Sequence, residues 1–390
     1  MLSMLKRYRD IFRTSGAAWS AALALDRAGV RALNLWPARR VMPEILREQV
    51  RTILRSWGMP QEDVASAVEH LIYADLHGID SHGCAMIEYY HRELRAGRLT
   101  MTPSIRVMRE GPTTALLDGN RGLGHIAANR AMQIAIEKCR SMGLGAVSVT
   151  DSNHFGAAGS YALMAADSGF IGIAMTNTAQ PAIVPTFGRR AMLGTNPIAF
   201  AAPAERNRPF LLDMATSTVS LGKLLTAWRN GNTLPEGWAL EERGRAITDA
   251  RLAYKHRRLT PLGSTREMGS HKGYGLAAMV EILSSLLAFN PAVGDSWQER
   301  RGIGHFFLAL DPHRFRENGE FEANVDALQD SLRSTDRVNP EQPVLVAGDP
   351  ERAAYEEHCR AGIPIPRSVI EDLRLVCRNC GVPFLMDPSD

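Results

Sequence analysis

The stretch that decides the fold runs from Ala115-Leu116-Leu117, through Gly122-Leu123-Gly124-His125-Ile126-Ala127 and a helical pattern ending at Met142, into Ala146-Val147-Ser148-Val149. It reads as strand, glycine turn, helix and strand. Gly122, Gly124 and Ala127 fit GxGxxA, the turn with which a Rossmann unit holds a pyrophosphate. Against that, the next acid after the second strand is Asp151, later than the roughly 20-residue spacing of a ribose contact, and it leads straight into a different motif. A tight turn between packed elements is the preferred reading.

Downstream, Ile171 to Met175, Pro197 to Ala202 and Phe210 to Leu212 are short apolar runs between Gly- and Pro-rich loops. They lie too close together for a helix between every pair, so a mixed or largely antiparallel sheet is expected, in an α/β protein of the α+β kind. A long apolar helix, Gly275 to Phe289, follows Lys272. A strand, Phe306 to Leu310, precedes Asp311-Pro312, and helical patterns cover Ala353 to Arg360 and Ser368 to Arg378. Upstream, a helix opening at Pro43 stops at Gly58, and a second opens at Pro60. The polar loop Gly78-Ile79-Asp80-Ser81-His82-Gly83 separates that second helix from another at about Met86 to Ala96.

With 390 residues, 45% hydrophobic and 22% charged, the chain buries a large core and divides by length into two domains. A formal charge of +3 gives no case for nucleic acid as the main partner, and a small-molecule substrate is the better expectation. Residues 1–40 hold eight basic and two acidic residues, which reads as a basic helical extension. Within it Ala17 to Leu25 imitates a signal-peptide core, but Asp10, Asp26 and Arg27 interrupt the pattern. No apolar run approaches the ~20 residues of a membrane span. Five cysteines, an odd number, fit a reducing, cytoplasmic setting. Cys377 and Cys380 form a CxxC pair whose nearest further ligands, His358 and Cys359, are adjacent and badly spaced for zinc, so no metal is expected.

Four clusters carry chemistry. Ser152-Asn153-His154-Phe155-Gly156 puts a histidine at a strand's end, where its near-neutral pKa suits proton transfer, although an isolated histidine is more often structural. Asp80-Ser81-His82-Gly83 offers a carboxylate, a hydroxyl and an imidazole. No GxSxG elbow surrounds Ser81, and the cluster reads as a polar rim or a helix cap. Asp213-Met214-Ala215-Thr216-Ser217 and Ser270-His271-Lys272-Gly273-Tyr274-Gly275-Leu276 each open a helix and suit ribose hydroxyls or an anion.

Taken in order, Asp75 to Gly83, Ser152 to Gly156, Leu193-Gly194-Thr195-Asn196-Pro197-Ile198-Ala199, Asp213 to Ser217 and Lys272 to Leu276 resemble the malate/L-lactate dehydrogenase family of the second type. That family includes sulfolactate and ureidoglycolate dehydrogenases and the piperideine-2-carboxylate reductase. The resemblance covers about residues 42 to 385. It implies a non-Rossmann nicotinamide-binding domain, 119–289, inserted into a mainly helical substrate domain, 42–118 and 290–390, behind the extension 1–41, and a homodimer. It also implies NAD or NADP as cofactor and hydride transfer to or from a small 2-hydroxy or 2-oxo acid. The proton-handling residue falls on His154. Substrate contacts fall on His82, Tyr90 and Arg301, and cofactor contacts on Ser81, Ala179, Asp213, Met214, Ala215, Lys272 and Gly273. Met86 stands where many members carry a carboxylate-clamping arginine, which leaves the acid unspecified. Reduction of a 2-imino acid on the same fold, and an inactive binding protein, are the alternatives.

Overall fold

The structure, a computed structural model, describes residues 38–229, 231–288 and 303–387. Arg301 and most of the basic extension lie outside the described residues. Short strand β1, Arg39–Val41, leads into α1, Pro43–Ser56, and α2, Gln61–Leu76. Pro43 occupies the first turn of α1, where a missing N–H costs nothing, and Gly58 ends it at φ 82. After a 3-10 turn, Cys84–Met86, comes α3, Ile87–Arg95. Leu46, Val50 and Ile53 of α1, Val68 and Leu71 of α2, and Ile87 and Tyr90 of α3 share one core with Leu373 and Val376 near the C-terminus.

The second core is a seven-stranded sheet. Its strands in chain order are β2, Arg106–Glu110, β3, Thr114–Asp118, β4, Leu144–Ser152, β5, Ile171–Thr176, β6, Ile198–Ala202, β7, Phe210–Met214, and β8, Ile303–Leu310. Across the sheet the order is β2-β3-β4-β8-β5-β6-β7. β3 and β4 run parallel, joined by helix α4, Gly124–Met142, and the other pairings are antiparallel. This is the mixed sheet that the strand spacing implied. α4 and α5, Gly159–Asp167, pack on the sheet through alanines, Ala127, Ala131 and Ala135 on one and Ala162 and Ala165 on the other. Small side chains bring the helices very close: a Cβ on Gly145 would stand 1.9 Å from the Ala135 carbonyl oxygen, and one on Gly172 2.2 Å from that of Ala162.

A smaller lobe is built around α6, Leu221–Arg229, and α7, Ala250–His256, on Leu224, Ala253 and Leu259. α8, Ser270–Glu281, passes into one π-helical turn, Ile282–Leu286, so it starts earlier than the apolar pattern alone indicated. Helices α9, Glu320–Arg333, α10, Asp349–Ala361, and α11, Arg367–Cys380, complete the chain, and strand β9, Ile363–Ile365, pairs with β1. N- and C-terminal segments thus pack together as a largely helical assembly into which the sheet is inserted, consistent with a non-Rossmann nucleotide-binding fold. The sheet draws strands from both sides of residues 119–289, with β2 and β3 before and β8 after. The GxGxxA turn is a packing device: a Cβ on Gly124 would meet the Asn153 carbonyl oxygen at 2.1 Å.

Candidate active site

The site begins with a fault in the sheet. β4 and β8 pair regularly as far as Val149 opposite His305, after which the next partners are Ser152 and Ile303. One extra residue on β4 makes a bulge, and Asp151 absorbs it at φ 46. A bulge bends its strand and re-aims the side chains beyond it. Here it turns Asn153 and His154 out of the sheet, and Gly156, at φ 79, turns the chain again toward α5.

His154 Nδ1 accepts a hydrogen bond from the Tyr90 hydroxyl at 2.7 Å and a longer one from the Gly156 N–H at 3.3 Å. In the neutral ring the proton therefore resides on Nε2, which has no hydrogen-bond partner among the described residues. Tyr90 is 1% exposed and its ring meets His125 edge-on at 5.7 Å, so its hydroxyl is aimed by packing. The His82 ring stacks on that of His154 with centroids 5.3 Å apart, and the Ser81 hydroxyl and His82 Nδ1 are hydrogen bonded at 2.8 Å. The loop carrying both is clasped by Asp75, whose carboxylate accepts the Cys84 N–H at 2.8 Å and lies where a Cβ on Gly83 would strike it.

Burial sets the electrostatics. Loss of water, aided by the charges of His82 and His305, lowers the His154 pKa to about 3, and desolvation lowers that of His82 to about 4. Both rings are neutral at pH 7. The carboxyl of Asp75 is pushed up to about 7 by burial, with Asp80 adding to the rise.

The residues expected to hold a cofactor sit at three loop ends. Asp213 and Met214 close β7, with Ala215 next, and Asp213 Oδ2 accepts the Gly159 N–H of α5 at 2.7 Å. Burial raises the Asp213 carboxyl to about 6. Ala179 is exposed in the turn after β5. Lys272 is exposed on the first turn of α8, which has no side-chain cap, so its amides and the ammonium present a positive end. Gly273 packs so tightly that a Cβ would lie 2.3 Å from the Leu262 carbonyl oxygen, and Leu262 N–H in turn bonds Thr216, three residues after Asp213. Ser81 lies against α6, its Cβ 3.5 Å from where a Cβ on Gly222 would lie. This donor set suits a dinucleotide: a carboxylate for sugar hydroxyls, a lysine and helix amides for phosphates, and backbone open to close approach.

His154, Tyr90 and His82 are brought together. Met86 lies one turn before Tyr90, half-buried against the helical core. Cys377 and Cys380 accept hydrogen bonds from Gln49 at 3.1 Å and Trp57 at 3.2 Å, and His358 bonds the Asp75 and Leu76 carbonyls. Three residues of the site's surroundings carry no assigned role in the sequence reading: Asp75, His125 and His305. For His305 the available signal was a histidine within the otherwise apolar run Ile303–Leu310.

The arrangement is that of an oxidoreductase working on a small hydroxy or oxo acid, and the comparisons with known proteins agree. The malate/L-lactate dehydrogenase family model matches residues 41–374, and the chain belongs to that family. It is 40% identical over 351 residues to a malate dehydrogenase of Pyrococcus horikoshii, covering 89% of this chain and 97% of the relative. It is 37% identical to an L-sulfolactate dehydrogenase of Methanothermobacter thermautotrophicus, over 88% of this chain and 98% of the relative. The crystal structure of malate dehydrogenase from Entamoeba histolytica superposes with a TM-score of 0.84 at 33% identity, over 89% of this chain and 99% of that one.

Proposed function

We propose that this chain is an NAD(P)-dependent 2-hydroxy acid dehydrogenase in which His154 exchanges the proton with the substrate oxygen. The observation that carries the reading is the His154 ring: Nδ1 is engaged by Tyr90, and Nε2 has no partner among the described residues. The similarity to malate and sulfolactate dehydrogenases supports a small hydroxy acid as substrate.

The chemistry of the residues fits both directions. For reduction, a protonated His154 donates from Nε2 to the carbonyl oxygen. For oxidation, the neutral ring first passes from the resting Nε2–H tautomer to the Nδ1–H one, its Nδ1–H given to the Tyr90 oxygen once that hydroxyl has turned, and the bare Nε2 then takes the hydroxyl proton to form the imidazolium. Tyr90 thus holds the ring through either half-reaction. His82, stacked on His154, forms one wall for the substrate, and Met86, packed against the helical core, brings no cation to it. Asp213, Met214, Ala215, Ala179, Ser81, Lys272 and Gly273 are the residues that would hold the cofactor, whose nicotinamide supplies or receives the hydride when bound. Orientation and proton transfer are the protein's contribution. A homodimer accompanies this reading and is checked by light scattering.

The test is a panel of 2-oxo acids, bulky and sulfonated ones included, followed by NADH and NADPH absorbance, with pyruvate also assayed beside methylamine to expose imine reduction. His154→Asn should bind NAD(P)H as wild type does and turn over about 100-fold or more slowly. Unchanged turnover would remove His154 from the chemistry, and no oxidation of NAD(P)H with any acid or imine would leave a binding protein.

A further inference from the structure

His305 is the third residue of β8, 0% exposed, yet both of its ring nitrogens are used. Nδ1 meets the Thr176 hydroxyl at 2.8 Å, and Nε2 the Ser152 hydroxyl at 2.9 Å. Thr176 also meets the Asn177 and Gly304 carbonyls at 2.9 and 3.0 Å, so a hydroxyl that is itself held in place stands at Nδ1, and the Ser152 hydroxyl at Nε2, whichever ring nitrogen carries the proton. The ring lies parallel to that of Phe155, centroids 4.6 Å apart and 11° between planes, which fixes its orientation. Burial holds its pKa down to about 3, so the ring is uncharged and acts through geometry.

These partners end two different strands. Ser152 closes the bulge of β4 and lies two residues before His154; Thr176 ends β5 at the turn Asn177-Thr178-Ala179. β4 and β5 are not neighbours in the sheet, since β8 separates them. One ring therefore spans from the strand end that carries the proton-handling histidine to the strand end that leads into the cofactor turn. Asn177 reinforces the second side, its Oδ1 accepting the Gly304 N–H at 2.9 Å. We propose that His305 is a positioning residue that sets the spacing between the His154 loop and the turn at Ala179. This rests on the assignment of that turn to the cofactor made above.

The two ring nitrogens are separable by substitution, because an asparagine amide occupies the place of Nδ1 and a glutamine amide that of Nε2. His305→Asn keeps the link to Thr176 and releases Ser152; His305→Gln does the reverse. Ser152→Ala and Thr176→Val cut the same two links from the other side, and these smaller changes decide the matter if the buried histidine variants do not fold. With cofactor binding read by NAD(P)H fluorescence, His305→Asn and Ser152→Ala should lose about 10- to 100-fold in kcat with cofactor Kd unchanged. His305→Gln and Thr176→Val should weaken cofactor binding by about 10-fold with kcat retained at saturating cofactor. Equal losses in both measures for both pairs, or no loss in any variant, would overturn the proposal.

A readout without cofactor keeps this apart from the functional reading. In histidine-labelled protein the ring resonances of His154, assigned with His154→Asn, should shift in Ser152→Ala and stay in place in Thr176→Val. That pattern upholds the link from His305 to the His154 loop even if no NAD(P)H binds, in which case the functional reading alone falls. Its absence sinks the link even in an active enzyme.

Discussion

Removing one oxygen atom tests how the His154 ring is held. In Tyr90→Phe the aromatic ring should keep its place, since it is 1% exposed and packed edge-on against His125 at 5.7 Å. What disappears is the 2.7 Å hydrogen bond to His154 Nδ1. The Gly156 N–H, at 3.3 Å, is too distant to replace it. A hydrogen bond to a group that becomes charged is worth about 1.5–3 kcal/mol, which corresponds to roughly 10- to 150-fold in rate if it is needed in full at the transition state. The ground-state cost is smaller, about 1 kcal/mol for a neutral pair. Steady-state kinetics should therefore show kcat/KM reduced by about one to two orders of magnitude, with NAD(P)H affinity unchanged and the urea midpoint only slightly lower. A kcat/KM within about twofold of wild type, or a loss mirrored by weaker cofactor binding, would refute this account of Tyr90.

Further outcomes follow from burial and packing. Because the His154 pKa is lowered to about 3, its base form is already present at neutral pH. Log kcat/KM for hydroxy acid oxidation should show no loss on the acid side down to about pH 5, whereas that for oxo acid reduction should fall about tenfold per unit over pH 5 to 8; a reduction plateau below pH 6.5 would indicate an ordinary histidine. Asp75 is 2% exposed with its pKa raised to about 7, so the stability its carboxyl contributes is complete below the ordinary carboxylate range and lost as pH rises through 7. In urea melts, Asp75→Asn should gain on wild type by about 1 kcal/mol per pH unit between pH 5 and 7 and no further above it; a constant difference would contradict this. In Gly145→Ala, the added Cβ would lie 1.9 Å from the backbone oxygen of Ala135, so α4 must move off the sheet. Thermal melting should report about 1–3 kcal/mol of destabilisation, and an unchanged midpoint would mean that the helix yields freely.

Much of the frame could be read from residue order. Apolar spacing located α1 and α2, with Gly58 between them, and the close succession of Ile171–Met175, Pro197–Ala202 and Phe210–Leu212 correctly implied a mixed sheet. Other elements gave little signal. β2 is exposed along its whole length, so Arg106-Val107-Met108-Arg109-Glu110 shows no inward-outward alternation, and β1 and β9 are three residues each. α9 buries few of its residues, so its sequence shows only a weak apolar stripe. Within the site, His154 was legible from its strand-end position and His82 from its polar loop, while Tyr90 came from motif resemblance alone; packing brings His154 to the other two, more than sixty residues away in sequence. His125 looked like part of a nucleotide-binding turn, while in the fold it supports Tyr90 from beneath. The role of His305 depends on β8 lying between β4 and β5, and no local pattern announces such an insertion.

The position of β8 bears on how the chain is made. During synthesis β4 and β5 emerge long before residues 303–310, and each must wait with an unsatisfied backbone edge for a strand encoded more than a hundred residues later. Such late, long-range closure is slow and leaves edges open to mispairing with other chains. A ribosome-stalled or truncated product ending before β8 is accordingly expected to engage chaperones or aggregate. The segment that carries β8 therefore controls when the strands made before it can become a stable sheet.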